Sequence, residues 1–187
     1  MHNEIEHIVE ILRRGGTILY PTDTIWGIGC DATNPDAVKK VKDIKQRADA
    51  KSFLVLCRDM EQVAAYAAEI PPEAMTLHSN SNKPTTIIYP KIKNISTAIL
   101  ATDGSLGIRI PNFDFCNELL KAFGRPIVST SANRSGEASP LSFNDISDEV
   151  KLAVDYVVKD FHNYISPFAA SRIVKLNNSG EITVLRD

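Results

Sequence analysis

The first third of the chain changes between helical and extended hydrophobic patterns. Apolar residues recur at helical spacing between Ile5 and Leu12, and the pair Gly15-Gly16 provides the backbone freedom that ends a helix. Thr17–Tyr20 then predicts a strand, a polar turn covers residues 21–24, and Ile25–Gly29 resumes an extended apolar pattern. We therefore expect a helix, a strand, a turn and a second strand, in that order.

The remainder of the chain continues this alternation. The second helix is expected to begin at Asn34 and Pro35, which are typical of a helix start, and to end near Arg47. Further helices are predicted over Met60–Ala68, Pro72–His78, Cys116–Phe123 and Phe143–Val150. Further strands are predicted over Phe53–Cys57, Thr85–Tyr89, Leu106–Ile110 and Pro126–Val128, and near Val154, Ile173 and Ile182.

Two polar stretches are predicted to be loops, namely Ser129–Gly136 and the turn at residues 177–180. No linker, repeat or low-complexity tract interrupts the pattern, so residues 1–187 are expected to form one domain. Strands that alternate with helices indicate a layered α/β fold.

Composition excludes several classes of protein. The net charge of −2 argues against a protein whose main work is to hold a nucleic acid backbone, because that affinity comes from phosphate neutralisation. The three cysteines and four histidines have no ligand spacing, so no disulfide framework and no metal site is expected. The N-terminus lacks a signal-peptide core, and no apolar run approaches the ~18 residues of a membrane span. We therefore expect a cytoplasmic protein with no membrane partner.

Common catalytic motifs are missing from the sequence. It has no G-x-x-x-x-G-K-[ST], and Gly27-Ile28-Gly29 lies in a strand pattern instead of at a strand-to-helix turn. G-x-S-x-G and H-E-x-x-H do not occur either. If a nucleotide binds, side chains must therefore supply more of its contacts.

A group of cations follows the second helix. Lys45 lies beside the apolar stripe of that helix, Arg47 is at its expected end, and Lys51 precedes the next strand. One interpretation is a polyphosphate clamp in which Lys45 points across a cleft. The other is a lysine that reaches solvent at the edge of a charged helix.

Polar side chains that follow or interrupt strands are further candidates. The Ser129–Gly136 segment carries short hydrogen-bonding side chains after a strand. One interpretation is that these side chains bind phosphate or carboxylate oxygens, and the other is that they only cap and turn the chain. Thr22 and Thr24 flank Asp23 in a turn after a strand, and this turn either contacts a ligand or bonds locally. Arg109 lies within an apolar strand and either faces water or anchors a substrate carboxylate.

Four blocks resemble the Sua5/YciO/YrdC family of threonylcarbamoyl-AMP synthases: YPTDTIWGIGCDA, KQR, GIRIP and PIVSTSANRSGEASP, in that order. The family signature combines K-x-R with S-x-N, here Lys45/Arg47 and Ser131/Asn133. The resemblance implies a twisted mixed sheet with flanking helices around a concave cleft. It also implies an enzyme that takes L-threonine, bicarbonate and ATP with Mg²⁺, and that releases pyrophosphate.

The resemblance also implies site residues, although it assigns no catalytic residue. The implied ATP contacts are Lys45, Arg47, Ser105, Ser131, Asn133, Ser139 and Arg186. The implied threonine contacts are Thr22, Lys51, Arg109 and Ser129. A downstream threonylcarbamoyl transferase complex and tRNA are implied as indirect partners.

Two other functions stay open at this point. Lys51-Ser52-Phe53 resembles the YciO-like branch of the family, which suggests a paralogue that has a different acceptor. A module that binds double-stranded RNA weakly is the other alternative, and it predicts an affinity that falls steeply with salt.

Overall fold

The computed structural model describes residues 2–46, 53–79, 82–165, 168, 170–177 and 181–187, and its centre is a mixed β-sheet. The described strands are β1 (Thr17–Tyr20), β2 (Gly27–Cys30), β3 (Leu54–Leu56), β4 (Thr85–Tyr89), β5 (Leu106–Arg109), β6 (Ile127–Ser131), β7 (Tyr156–Val157), β8 (Arg172–Leu176) and β9 (Ile182–Arg186). Their order across the sheet is β7-β1-β2-β6-β3-β5-β4-β8-β9. The pairs β1/β7, β3/β5 and β4/β8 are parallel and the other neighbours are antiparallel. The predicted mixed α/β fold is confirmed.

Helices flank the sheet, and most begin within a residue or two of the predicted starts. They are α1 (His2–Arg13), α2 (Pro35–Lys45), α3 (Met60–Tyr66), α4 (Pro72–Ser79), α5 (Asp114–Phe123) and α6 (Asp148–Ala153). Short 3-10 helices occupy Thr97–Ile99 and Phe143–Asp145. α1 packs on α5 and β1, and α2 packs on β1 and β2.

Residues at both ends of α2 determine where this helix begins and ends. The Asn34 side chain accepts hydrogen bonds from the backbone N–H groups of Asp36 and Ala37, and Pro35 provides the first helical residue. Gln46 then adopts a left-handed conformation with φ of 47° and ends the helix directly after Lys45. The expected end near Arg47 lies outside the described residues.

Strands β1, β2 and β6 approach one another closely at Gly29 of β2. A Cβ at this position would lie 2.7 Å from Cε1 of Tyr20 and 2.8 Å from the carbonyl oxygen of Val128. Only glycine leaves room for the Tyr20 ring over β2. The glycines of β2 therefore serve strand packing, as the strand pattern around them predicted.

Two predicted boundaries are wrong. The expected loop at Ser129–Gly136 begins later, because β6 continues to Ser131: Ser129 pairs with Leu54 of β3, and Ser131 pairs with Gly27 of β2. Neighbouring strands on both sides stabilise these polar residues in extended form. The single helix expected over Phe143–Val150 is divided, because Ser147 starts a new helix by accepting a hydrogen bond from the N–H of Val150.

None of the described helices is long and apolar enough to cross a membrane.

Candidate functional site

A polar cavity of about 240 Å³ opens where the turn after β1 meets the ends of β3, β5 and β6. The C-terminal strands β8 and β9 close another of its walls. Its polar lining consists of Thr22, Thr24, Arg109, Ser129, Thr130, Ser131, Ser139, Ser171 and Arg186. The apolar lining includes Ile25, Phe53, Leu54 and Ile173.

Strand register explains why distant residues meet here. Leu54 of β3 lies opposite Gly107 of β5 on one side and opposite Ser129 of β6 on the other. The parallel β3/β5 pair and the antiparallel β6 therefore bring Arg109 and the serines of β6 around the same short strand. The cavity lies at the sheet's centre, so its lining side chains are held by strands and not by loops alone.

Arg109 is a buried cation in the wall of the cavity. Its side chain is 3% exposed, and its Nη2 atom lies 3.2 Å from Oδ1 of Asp23, whose side chain is 5% exposed. The Nε atom of Arg109 has no hydrogen-bond acceptor among the described residues. Because Arg109 also lines the cavity, its guanidinium is suited to an anionic ligand. The interpretation in which Arg109 faces water is wrong.

Arg186 enters the same cavity from β9. Its Nε atom donates to the carbonyl oxygen of Ser171 at 2.9 Å, and its Nη2 atom donates to Oγ of Ser171 at 3.3 Å. Oγ of Ser171 also lies 2.8 Å from Oγ1 of Thr86. Burial, and secondly the nearby charge of Arg109, hold the pKa of Arg186 below its ordinary value. Two guanidinium groups that repel each other across a cavity favour an anion between them.

The turn after β1 arranges two threonine hydroxyls in a fixed order. Oγ1 of Thr22 donates its proton to the carbonyl oxygen of Ile25 at 2.7 Å and accepts from the N–H of Thr24 at 3.1 Å. Oγ1 of Thr24 lies 3.0 Å from that of Thr22 and must be the donor, because Thr22 has only one hydroxyl proton. Thr22 therefore bonds locally while it lines the cavity, and Thr24 keeps its acceptor lone pairs for a ligand N–H.

Lys45 is buried behind the cavity, and its ammonium is held by the segment after β6. Nζ donates to the carbonyl oxygen of Ser131 at 2.6 Å and to Oδ1 of Asn133 at 2.8 Å, and also to the carbonyl oxygen of Asn133. The backbone contributes as well, since the carbonyl oxygen of Lys45 accepts from the N–H of Ser135 at 3.0 Å. Lys45 is 3% exposed, so the expectation of a lysine that reaches solvent is wrong. Nζ contacts oxygens of the segment after β6, and the role of Lys45 in a polyphosphate clamp stays a prediction.

Asn133 links the rest of this segment. Its Oδ1 atom also accepts from Oγ of Ser131 at 2.5 Å, and its Nδ2 atom donates to the carbonyl oxygen of Glu137 at 2.6 Å. The segment 131–137 is therefore fixed by side chains before any ligand binds. We refer to Lys45, Ser131, Asn133 and Glu137 as the lysine clasp.

The predicted site residues fall into three groups. Those that line the cavity are Thr22, Arg109, Ser129, Ser131, Ser139 and Arg186. Lys45 and Asn133 lie behind it in the lysine clasp, and Ser105 is buried beside Asp103, to which its Oγ donates at 2.5 Å. Arg47 and Lys51 lie outside the described residues. The ligand contacts assigned to all these residues stay predictions.

The turn that was a candidate ligand contact brings both Thr22 and Thr24 to the cavity, since alternation along an extended segment puts them on one side. Sequence reasoning missed Ser171, which lines the cavity, and the pairing of Asp23 with Arg109. Ser171 had no local signal, because its place depends on the long-range pairing of β4 with β8.

The described residues contain no cluster of three or more His, Cys, Asp or Glu side chains arranged for a metal ion.

Comparison with known proteins places this geometry in a family. A family model named Sua5/yciO/yrdC, with the description telomere recombination, matches residues 10–187. The threonylcarbamoyl-AMP synthase of Vibrio parahaemolyticus is 30% identical over 151 residues, which cover 79% of this chain and 82% of that protein. The threonylcarbamoyl-AMP synthase of Chromohalobacter salexigens is 32% identical over 166 residues, which cover 88% of this chain and 90% of that protein.

Solved structures agree with the fold. P. abyssi Sua5 complexed with L-threonine superimposes with a TM-score of 0.89 at 25% identity, over 100% of this chain. This chain spans only 54% of the Sua5 chain, about half of its length. E. coli YciO superimposes with a TM-score of 0.86 at 27% identity, over 100% of this chain and 90% of that chain.

Proposed function

The chain belongs to the Sua5/YciO/YrdC family, and on this basis we propose that it is a threonylcarbamoyl-AMP synthase. It joins L-threonine, bicarbonate and ATP into threonylcarbamoyl-adenylate and releases pyrophosphate. The product is the activated precursor that a downstream transferase complex attaches to tRNA, and the location is the cytoplasm. Relatives with this name, at 30% and 32% identity over most of their length, support the proposal.

The single observation that carries the proposal is the pair of arginines at one small polar cavity. Arg109 and Arg186 both line it, and the Nε edge of Arg109 has no acceptor among the described residues. A carboxylate matches a guanidinium edge in shape and charge. Arg109 therefore binds the carboxylate of L-threonine, and Arg186 binds a phosphate group at the outer side of the cavity.

The amine of threonine has an acceptor opposite Arg109. The hydroxyl order of Thr22 and Thr24 leaves lone pairs on Thr24, which accept from an amine N–H. Held at both its carboxylate and its amine, the amino acid cannot rotate in the cavity. The hydroxyl of Ser129, in the same lining, is the remaining predicted contact for threonine.

The nucleotide binds against the segment after β6. Ser131 and Ser139 line the cavity there, and the lysine clasp fixes their surroundings. Since the N–H bonds of Lys45 are directed at oxygens of that segment, Lys45 acts on the nucleotide by holding the segment in place. Arg47, from the K-x-R signature, is the proposed direct phosphate contact of this motif.

Mg²⁺ enters with ATP as part of the substrate. Phosphate oxygens and water are the ligands that Mg²⁺ keeps in most nucleotide sites. When bound, it neutralises charge on the phosphates.

The reaction needs positioning and charge neutralisation more than it needs a general base. The threonine nitrogen attacks the carbon of bicarbonate, which gives a carbamate with loss of water. A carbamate oxygen then attacks the α-phosphorus of ATP, and pyrophosphate leaves. Arg109, Arg186 and the serine hydroxyls hold the reacting groups together, and this is the main contribution that proteins make to phosphoryl-type transfer.

A YciO-like activity with a different acceptor is the second candidate. The superposition on E. coli YciO, which covers 90% of that chain, favours it. The two candidates share the nucleotide and differ in the molecule that occupies the inner end of the cavity. A screen of acceptors at fixed ATP separates them.

The decisive experiment measures pyrophosphate release by the purified protein with ATP and Mg²⁺, with L-threonine and bicarbonate each present or omitted. The proposal requires release only when threonine and bicarbonate are both present. A matched pair of variants, Arg109→Gln in the cavity and Arg13→Gln on α1, tests the site. Release without threonine, or equal release by both variants, contradicts the proposal.

A further inference from the structure

The carboxylate behind Arg109 has a role that the substrate contacts alone do not reveal. We propose that Asp23 is a positioning residue, which orients the guanidinium of Arg109 toward the carboxylate of the amino-acid substrate. This inference rests on the proposed function, since it takes threonine as the ligand of Arg109. Asp23 touches neither substrate and acts through Arg109.

The geometry fixes Asp23 from two directions. Its Oδ1 atom lies 3.2 Å from Nη2 of Arg109. Its Oδ2 atom accepts from the backbone N–H of Asn112 at 3.3 Å. The carboxylate therefore connects the turn after β1 to the segment that follows β5. The Nη2–Oδ1 contact is an ion pair and not a hydrogen bond, so Asp23 attracts the guanidinium of Arg109 to this side by charge.

Asp23 approaches Arg109 from a different direction than the substrate does. Thr22 and Thr24 line the main cavity, whereas Asp23, between them, borders a second cavity of about 360 Å³ together with Asn112. This alternation is the usual result of an extended backbone. The negative charge of Asp23 therefore balances Arg109 without being presented to the incoming carboxylate.

The charges around the cavity also support a positioning role for Asp23. Arg109 and Arg186 are close enough for Arg109 to lower the pKa of Arg186. A protein carboxylate placed between Arg109 and Arg186 would pair with both of them. The substrate carboxylate would then have to compete with it for Arg109. Asp23 instead lies near Nη2 on the side of the second cavity, while Arg109 also lines the main cavity. The arrangement lets one guanidinium pair with Asp23 and with a ligand carboxylate.

A purely structural alternative predicts something different. A buried arginine needs a counter-charge for folding, and Asp23 supplies one wherever the guanidinium points. In that case the loss of Asp23 lowers stability and leaves the recognition of threonine unchanged in the molecules that do fold. A positioning role changes the affinity for threonine selectively.

The test uses the full chain with Asp23→Asn, which keeps the size of the side chain and an oxygen for the N–H of Asn112. Calorimetry measures the Kd for L-threonine and for ATP, and pyrophosphate release gives KM and kcat. We expect the Kd and KM for threonine to rise roughly 10- to 100-fold, the range for a lost hydrogen bond to a charged group. The Kd for ATP and the kcat at saturating threonine change much less.

Asp31→Asn is the matched control. Asp31 is also a buried aspartate paired with an arginine, with Oδ2 2.9 Å from Nη1 of Arg125, and it does not line the main cavity. Its replacement removes the ion pair of a buried aspartate with an arginine that is 55% exposed, and it is expected to leave the KM for threonine unchanged. A double variant supplies the second check: in an Arg109→Gln background, Asp23→Asn adds no further loss of threonine affinity.

Three results overturn the inference. They are an unchanged threonine Kd in Asp23→Asn, a fall in kcat with KM unchanged, and an equal added loss in the Arg109→Gln background. If Asp23→Asn does not fold, Asp23→Glu is tested in the same assays. The longer side chain keeps the negative charge but displaces the carboxylate, so the orientation of the Arg109 guanidinium is lost. A wild-type protein that neither binds nor uses threonine overturns the proposed function as well, whereas active wild type with an unaffected Asp23→Asn overturns the positioning role alone.

Discussion

Nζ of Lys45 lies 2.8 Å from Oδ1 of Asn133, although 88 positions separate the two residues in the chain. This contact joins the C-terminal end of α2 to the segment after β6. Both residues belong to the short K-x-R and S-x-N patterns, so the two parts of the signature meet in the structure. The contact makes the signature a structural clasp at the edge of the cavity, with Ser131 as the member that lines it.

Lys45→Met is expected to lower the free energy of unfolding by about 1–3 kcal/mol, because it leaves buried oxygens of Ser131 and Asn133 without their donor. Pyrophosphate release falls as well, since the segment that carries Ser131 loses its support. Urea unfolding and the pyrophosphate assay measure the two effects. Lys39→Met is the control, because Lys39 pairs with Asp43 at an exposed site, where such pairs contribute little. Equal stability of the two variants would show that the clasp does not hold the segment.

Arg186→Gln is expected to raise the KM for ATP by roughly tenfold, the effect of one lost charge-assisted hydrogen bond, with little change in stability. Its guanidinium already uses Nε and Nη2 on Ser171, so it is held in position for a phosphate. Initial rates at varied ATP provide the measurement. Arg172→Gln, one strand away and paired with Asp187, is the comparison. If the KM for threonine rises in place of that for ATP, Arg186 belongs to the amino-acid end of the cavity.

Local signals account for most of the fold. Asn34 and Pro35 fixed the start of α2 in advance, and the apolar segment at 85–89 matches β4 residue for residue. The end of β6 could not be placed from the sequence, because Ser129 and Ser131 are poor strand formers on their own. Pairing with Leu54 and Gly27 outweighs that preference, and such pairing is invisible in a local window.

The site residues that stand out within a sequence pattern could be predicted from the sequence. Arg109 stood out as a charge in an apolar strand, and Ser131 stood out in a polar run. What the sequence did not contain is which group each of them faces. The ammonium of Lys45 turns inward to carbonyl oxygens, and Arg109 meets Asp23 across 86 positions, because the sheet order brings distant segments together.

Gly29→Ala is expected to destabilise the protein by about 1–3 kcal/mol, the usual range for overpacking a filled core. The added methyl group would lie 2.8 Å from the carbonyl oxygen of Val128, which belongs to a paired strand and cannot move freely. Thermal unfolding measures the change. In the Gly27→Ala control, the nearest atoms lie at 3.3 Å, so a smaller loss is expected there. A larger loss at Gly27 than at Gly29 would contradict this account of the β1–β2 contact.

His78 lies near the end of α4 beside Tyr89, with its Nε2 atom 3.4 Å from the phenol oxygen. Burial lowers the pKa of His78 from the ordinary 6.5 to about 4, because the imidazolium loses its hydration. As the pH falls below 6.5, His78 becomes protonated in the unfolded chain but stays neutral in the folded protein. Stability contributed by His78 is therefore present above pH 6.5 and is lost as pH falls to about 4.

We expect His78→Gln to reduce this acid-side loss by about 1–3 kcal/mol, from the size of the pKa shift. Urea unfolding of wild type and variant between pH 7 and pH 4 measures the difference. His7→Gln, at an exposed position of α1, is the control for removal of a histidine and should follow the wild-type pH dependence. If His78→Gln loses stability as steeply as wild type over this range, the imidazole is solvated in the folded protein and its burial does not oppose protonation.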